Sequence, residues 1–344
     1  MNLSVSTLPS ALVLALFIAA PTWAAEPAAD SPLAGPFRWR SSPPLFSAPV
    51  REGEKCYSIK DPTVVFHEGR WHLFCTVRGN PRSHRIEYLS FQDWDHTAGV
   101  RREMLELSNS YFCAPQVFWF SPHKKWYLVH QVIDASRKPA LQPAFSTNAE
   151  IDDPAGWTKP QLLYAEQPEN VTGWIDFWII ADDRFVHLFF TSNNGRMWRA
   201  QTPLSEFPAG WSRPEVVLET DVFEASHTYK LRGEPTRYVT VIEAQGSGRR
   251  YYKAYTAERL DGRWTPAADT VLAPFAGKTN VAFEGDAWAD SVGHGELLRT
   301  GFDERMEVDP AGLRFLFQGA KDGEMRGKPY GEIPWRLGLL APAE

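Results

Sequence analysis

The sequence predicts an all-β chain folded as a five-bladed β-propeller, and three observations carry that prediction. No stretch shows the 3.6-residue apolar spacing of a long amphipathic helix; short apolar or alternating runs are instead separated by Gly, Pro, Asn and Asp. The runs pair into hairpins, each preceded by a short marker: Asp61-Pro62, Ala114-Pro115-Gln116, Ile175-Asp176, Phe223-Glu224-Ala225 and His294-Gly295-Glu296. From Asp61 through Pro115, Asp176, Glu224 and Glu296 the markers fall at intervals of 54, 61, 48 and 72 residues, each long enough for one four-stranded blade. Two stacked sheets would show no such phase relation.

The first four hairpins read strand, tight turn, strand. They are TVVFHEGRWHLFCTV, QVFWFSPHKKWYLVHQV, FWIIADDRFVHLFFTS and TYKLRGEPTRYVTVIEA, turning at Glu68-Gly69, Ser121-Pro122, Asp182-Asp183 and Gly233-Glu234. A further strand follows each: IEYLSFQDW, PAFSTNAEIDDPAGW, RMWRAQTPLSEFPAGW and YYKAYTAERLDGRW. All four segments end in a Trp after a turn.

Ahead of the first blade, the apolar stretch Ala11–Ala20 is too short to span a bilayer and is followed by Pro21 and small residues. Residues 1–24 therefore read as an export signal, 25–35 as a polar leader and 36–344 as a single propeller domain. Hydrophobic content of 43% suffices for a full core, and a net charge of −6 argues against nucleic-acid or anionic-membrane partners. An aromatic share of 13%, with 14 Trp, suits a carbohydrate partner and equally suits a stacked-sheet core. Three cysteines leave at least one thiol unpaired in a monomer, and Cys75 and Cys113 sit in apolar runs as buried thiols do. Cys56 is the third, and none has a partner at zinc-site spacing.

In a propeller the innermost strand of every blade lines one central channel, so residues at the blade starts converge. Asp61, Asp176 and Glu224 would meet there as three carboxyl groups in the same phase. Singly each reads as a turn cap; together they read as chemistry, because buried carboxylates are costly unless they react or hold an ion. One protonated carboxyl and one ionised carboxyl on opposite faces of a sugar ring hydrolyse a glycosidic bond. A third acid beside the donor opposes its ionisation. The residues leave inversion and retention both open.

The motifs FRWRSSPPL, KDPTVVFHEGRWHLF, YLSFQDW, APQVFWFSPHKKWYLVHQ, GWIDFWIIADD, FEASHTYK, IEAQGSGRRYYKAYTAERLDGRW, PFAGKTN, HGELLRTGFDERMEVDP, LFQG and YGEIPWRLGLL run through the whole mature chain. In that order the chain resembles glycoside hydrolase family 62, the arabinoxylan α-L-arabinofuranohydrolases. The resemblance implies a secreted, inverting α-L-arabinofuranosidase that removes arabinofuranosyl side chains from arabinoxylan. It puts the general base on Asp61, the general acid on Glu224 and the pKa modulator on Asp176. Lys60, Gln116, Trp178, Arg299 and Trp335 become substrate contacts, and His294 the ligand of one structural calcium ion. Departures from the family pattern fall at Ser226-His227-Thr228, Trp335, Phe177 and Lys253. A basic loop, VRGNPRSHRI, offers Arg78, Arg82 and Arg85 to acidic xylan substituents or to water. Other readings are a related propeller hydrolase acting on arabinan or xylosides, and a sugar-binding propeller that does not cut. The three intact carboxylates weigh against the last.

Overall fold

Blade one of the computed structural model is formed by Lys55–His67, Arg70–Asn80, His84–Phe91 and Arg101–Met104, antiparallel and in chain order. The structure describes Leu33 and residues 35–343, apart from Ala98 and Ser247, so the export signal and almost all of the leader lie outside it. Blade two runs Phe112–Phe120, Lys125–Ile133, Leu141–Asn148 and Gln161–Leu162; blade three runs Ile175–Ala181, Phe185–Thr191, Arg196–Pro203 and Glu215–Glu219. Blade four comprises Glu224–Leu231, Arg237–Gly246, Arg249–Ala257 and Thr265–Ala268, with Glu307–Val308 added parallel to its inner strand. Blade five begins with Ser291–Leu297, Phe315–Ala320 and Arg336–Pro342. Its fourth strand, Trp39–Ser41, comes from the other end of the chain. This antiparallel pairing closes the ring, a contribution of the first strand that local sequence pattern does not reveal.

Each sheet packs between two neighbours, so both faces of its inner strands are largely apolar; Phe177–Ala181 and Val186–Phe190 are buried throughout, with His187 the one polar side chain among them. The Trp residues that close the third strands wedge between blades. Trp157 of blade two meets Phe74 of blade one, with ring centroids 5.6 Å apart, and Trp264 of blade four meets Phe189 of blade three at 6.0 Å. Trp94 joins a cluster with Leu316 and Leu337 of blade five. Blade five uses Trp288 instead. A Cβ on Gly338 would lie 2.4 Å from that indole, which is why glycine stands there.

The five markers land on the five innermost strands, and the register gives the reason for their shared look. Every inner strand breaks its pairing at the mouth of the channel, between Lys60 and Thr63, Cys113 and Gln116, Ile175 and Trp178, Glu224 and His227, and Gly293 and Gly295. In the first four blades the residue inside the bulge is left-handed: Asp61 at φ 51°, Ala114 at 50°, Asp176 at 56° and Ala225 at 54°. Such a bulge re-aims side chains toward the channel. The expected common phase of the three acids is corrected here. Asp61 and Asp176 share the left-handed position, whereas Glu224 stands one residue earlier, where blade one has Lys60.

Below the mouth the channel is filled. Gln116 both accepts from the Ile179 amide and donates to its carbonyl at 2.7 Å, joining blades two and three. The Trp178 indole donates to Thr228 O at 2.7 Å, joining three and four. His227 stacks on Trp178 at 4.2 Å, and its Nδ1 lies 2.8 Å from Gly295 O of blade five. Arg299 donates to Glu296 at 2.9 Å and to the Val64 and Val117 carbonyls of blades one and two at 3.0 and 2.9 Å. The loop that follows crosses the far end of the channel, its Phe302, Glu304 and Met306 carbonyls accepting from Trp119, Ala181 and Lys230. This loop is a floor.

Candidate active site

The open end of the channel is a cavity of about 510 Å³, within the range of small-ligand sites. Lys60, Asp61, Asp176, Glu224 and His294 line it, all five of them residues that the sequence singles out. Gln116, Trp178, Arg299 and Trp335 do not reach it. The first three are the stitches below the mouth, and Trp335 is buried with its ring 5.6 Å from the Arg250 guanidinium. A second cleft of about 630 Å³ runs beside Phe37–Trp39 on the rim of the ring, but no carboxylate lines it.

Asp61 is buried, its amide donating to Gln318 Oε1 at 2.9 Å. Burial opposes its charge, but Lys60 Nζ, 3.6 Å away, and His294 outweigh that, and the carboxyl stays below its ordinary range. Lys60 is held charged by the same contact against its own desolvation. Asp176 goes the other way. Burial, then Glu224 and Asp61, push it well above the usual carboxylate range, and its Oδ2 accepts from the Ala225 amide at 3.1 Å. Glu224 is bonded to Arg250, whose Nη1 also donates to Glu243 at 2.5 Å.

His294 Nδ1 lies 3.5 Å from Asp176 and 3.6 Å from Asp61, and burial lowers its pKa against the pull of the surrounding acids. Ligand atoms of Asp176, Glu224 and His294 fall within 4.8 Å of one another. Calcium, however, takes six to eight oxygens. Here the two acids beside His294 already have Lys60 and the Ala225 amide as partners, Glu224 has Arg250, and the ring next to His294 is a second imidazole, His227, 5.0 Å away. These side chains do not fit a calcium ion, and no step below passes through one.

Several lining residues escaped the sequence reading: Arg250, Tyr330, Gln131, Asn193 and Gln245. Arg250 and Gln245 had a signal, since charged and amide groups flank the turn of an apolar hairpin, IEAQGSGRRYY. Tyr330 had none, lying in a short turn (Tyr330–Glu332) without periodicity. The family departures at His227, Phe177 and Trp335 prove to lie beneath or behind the pocket, buried, and Lys253 faces Asp221 at 3.8 Å outside it. In the basic loop, Arg82 is bonded to Glu106 and Arg85 to Glu54, while Arg78 folds onto Gly79 and Ser83. Its cations are therefore engaged within the chain. The three cysteines are free thiols.

Asp61 and Asp176, with opposed protonation preferences, stand beside Glu224 at the mouth of a sugar-sized cavity; this meets the demands of glycosidic cleavage, so fold and site define a propeller glycoside hydrolase. The chain belongs to glycosyl hydrolase family 62, whose family model matches residues 38–341. It is 38% identical over 324 residues to the α-L-arabinofuranosidase C of Cellvibrio japonicus, covering 91% of this chain and 48% of that one, so it spans about half the length of this curated relative. The catalytic domain of the Coprinopsis cinerea family 62 α-L-arabinofuranosidase superposes with a TM-score of 0.82 at 37% identity, covering 89% of this chain and 97% of that one. A family 62 hydrolase in complex with xylotriose gives 0.81 at 35% identity, with 88% and 97% covered.

Proposed function

We propose that this protein is a secreted monomeric α-L-arabinofuranosidase that hydrolyses arabinofuranosyl branches from arabinoxylan with inversion. The observation that carries the reading is the pair Asp61 and Glu224, each beside a buried cation, at one cavity mouth. Similar proteins named as α-L-arabinofuranosidases supply the sugar, and xylotriose, held by a related hydrolase, is a piece of xylan main chain. The apolar stretch Ala11–Ala20 supports export.

In this reading Asp61, kept ionised by Lys60, takes a proton from the attacking water as that water bonds to the anomeric carbon. Glu224 gives its proton to the departing xylose oxygen. Asp176 opposes ionisation of the acid and accepts from substrate hydroxyls, and Lys60 donates to them. Asp61→Asn and Glu224→Gln are each expected to lower arabinose release by about 10²–10⁴-fold with an unchanged circular-dichroism spectrum. Release at the wild-type rate by either variant would remove its residue from the mechanism. Proton NMR of a fresh digest should show arabinose with its anomeric configuration inverted; a retained configuration refutes the single-displacement step.

A further inference from the structure

Glu224 and Glu243 face each other across the first two strands of blade four, and one guanidinium nitrogen serves both. Arg250 has little freedom to choose between them. The rings of Phe223, Tyr330 and Trp335 surround its guanidinium at 5.2, 5.2 and 5.6 Å. On blade five, Gly293 leaves its stem room, since a Cβ there would sit 3.3 Å from Arg250 Cδ. Glu243 itself is fully buried, and its Oε2 has no hydrogen-bond partner among the described residues. Such a group is expensive to keep and does not touch the cavity.

We infer that Glu243 is a positioning residue for the catalytic acid: by sharing Arg250, it draws positive charge off Glu224 and keeps that carboxyl able to hold and deliver a proton. The inference rests on the reading of Glu224 as the acid and deepens it. A lone carboxylate against a buried guanidinium is held ionised, which disables it as a donor. Two carboxylates on one guanidinium carry a surplus negative charge that a proton relieves, and that proton belongs to the pair. Burial and then Glu224 push Glu243 itself up to about 8 despite Arg250. The other groups facing it are Tyr252 on the neighbouring strand, Asp176 from blade three and the His294 amide from blade five.

The test is the pH profile of kcat for arabinose release from a branched xylo-oligosaccharide, with wild type, Glu243→Gln and Glu243→Asp. Glu243→Gln keeps the shape but leaves Arg250 wholly on Glu224, so its alkaline limb should move about one unit toward acid. Glu243→Asp, which keeps the charge, should restore the wild-type limb, and KM should change in neither. A uniform loss of kcat with the limb unmoved would make Glu243 a fold-supporting residue and overturn the inference; so would a limb that moves toward alkali. Absence of arabinose release by wild type would instead overturn the functional reading, and this inference with it.

Discussion

Asp61 and Asp176 occupy the same left-handed bulge position in blades one and three, yet their surroundings drive them apart. Lys60 makes the difference: blade one has it next to the acid, where blade three has Ile175. The consequence for stability follows from proton linkage. Asp176 binds its proton more tightly folded than unfolded, so its contribution worsens as pH rises from the ordinary carboxylate value toward its raised folded one. Asp176→Asn should therefore melt higher than wild type at pH 7, while the two curves converge below pH ~3, where both states are protonated. Thermal melts at the two pH values decide it, and a variant less stable at pH 7 would contradict the assignment. Such a gain in stability with a loss of activity is the usual trade at a strained site.

At the scale of the strand, the inner-strand bulge is the element that makes the site. The sequence reading located these places because unusual dipeptides cluster at them, and the first four hairpins and their closing tryptophans were legible for the same local reason. Side-chain direction was not legible. Gln116, Trp178 and Arg299 occupy inner strands or their immediate continuation, as lining residues do, but lie on the far side of the bulge, where the channel is packed rather than open. Whether an inner-strand residue faces substrate or floor depends on the depth of the bulge, and spacing along a chain does not record depth. Arg299→Met separates the two roles. It strands the fully buried Glu296 carboxylate and should cost about 3–5 kcal/mol in denaturant unfolding. KM of the folded variant should stay at the wild-type value; a raised KM without loss of stability would return Arg299 to the substrate.

For the molecule as a whole, closure comes from two long-range devices. Trp39–Ser41 pairs with Arg336–Pro342, and the loop through Phe302, Glu304 and Met306 seals the channel against three blades. Neither was visible in the hairpin pattern, because each joins segments distant along the chain. Both use the protein's own groups, and the side chains around His294 do not fit a calcium ion. A chelator such as EDTA should leave the melting temperature unchanged in differential scanning fluorimetry, and a fall reversed by added calcium would show that His294 holds a metal after all. The most direct test of the whole account is sugar release from wheat arabinoxylan beside linear arabinan, with products separated by anion-exchange chromatography. Arabinose should be the sole sugar freed from arabinoxylan, with the xylan chain intact and arabinan cut far more slowly. Xylo-oligosaccharides among the products, preferential attack on arabinan, or no free arabinose would contradict it.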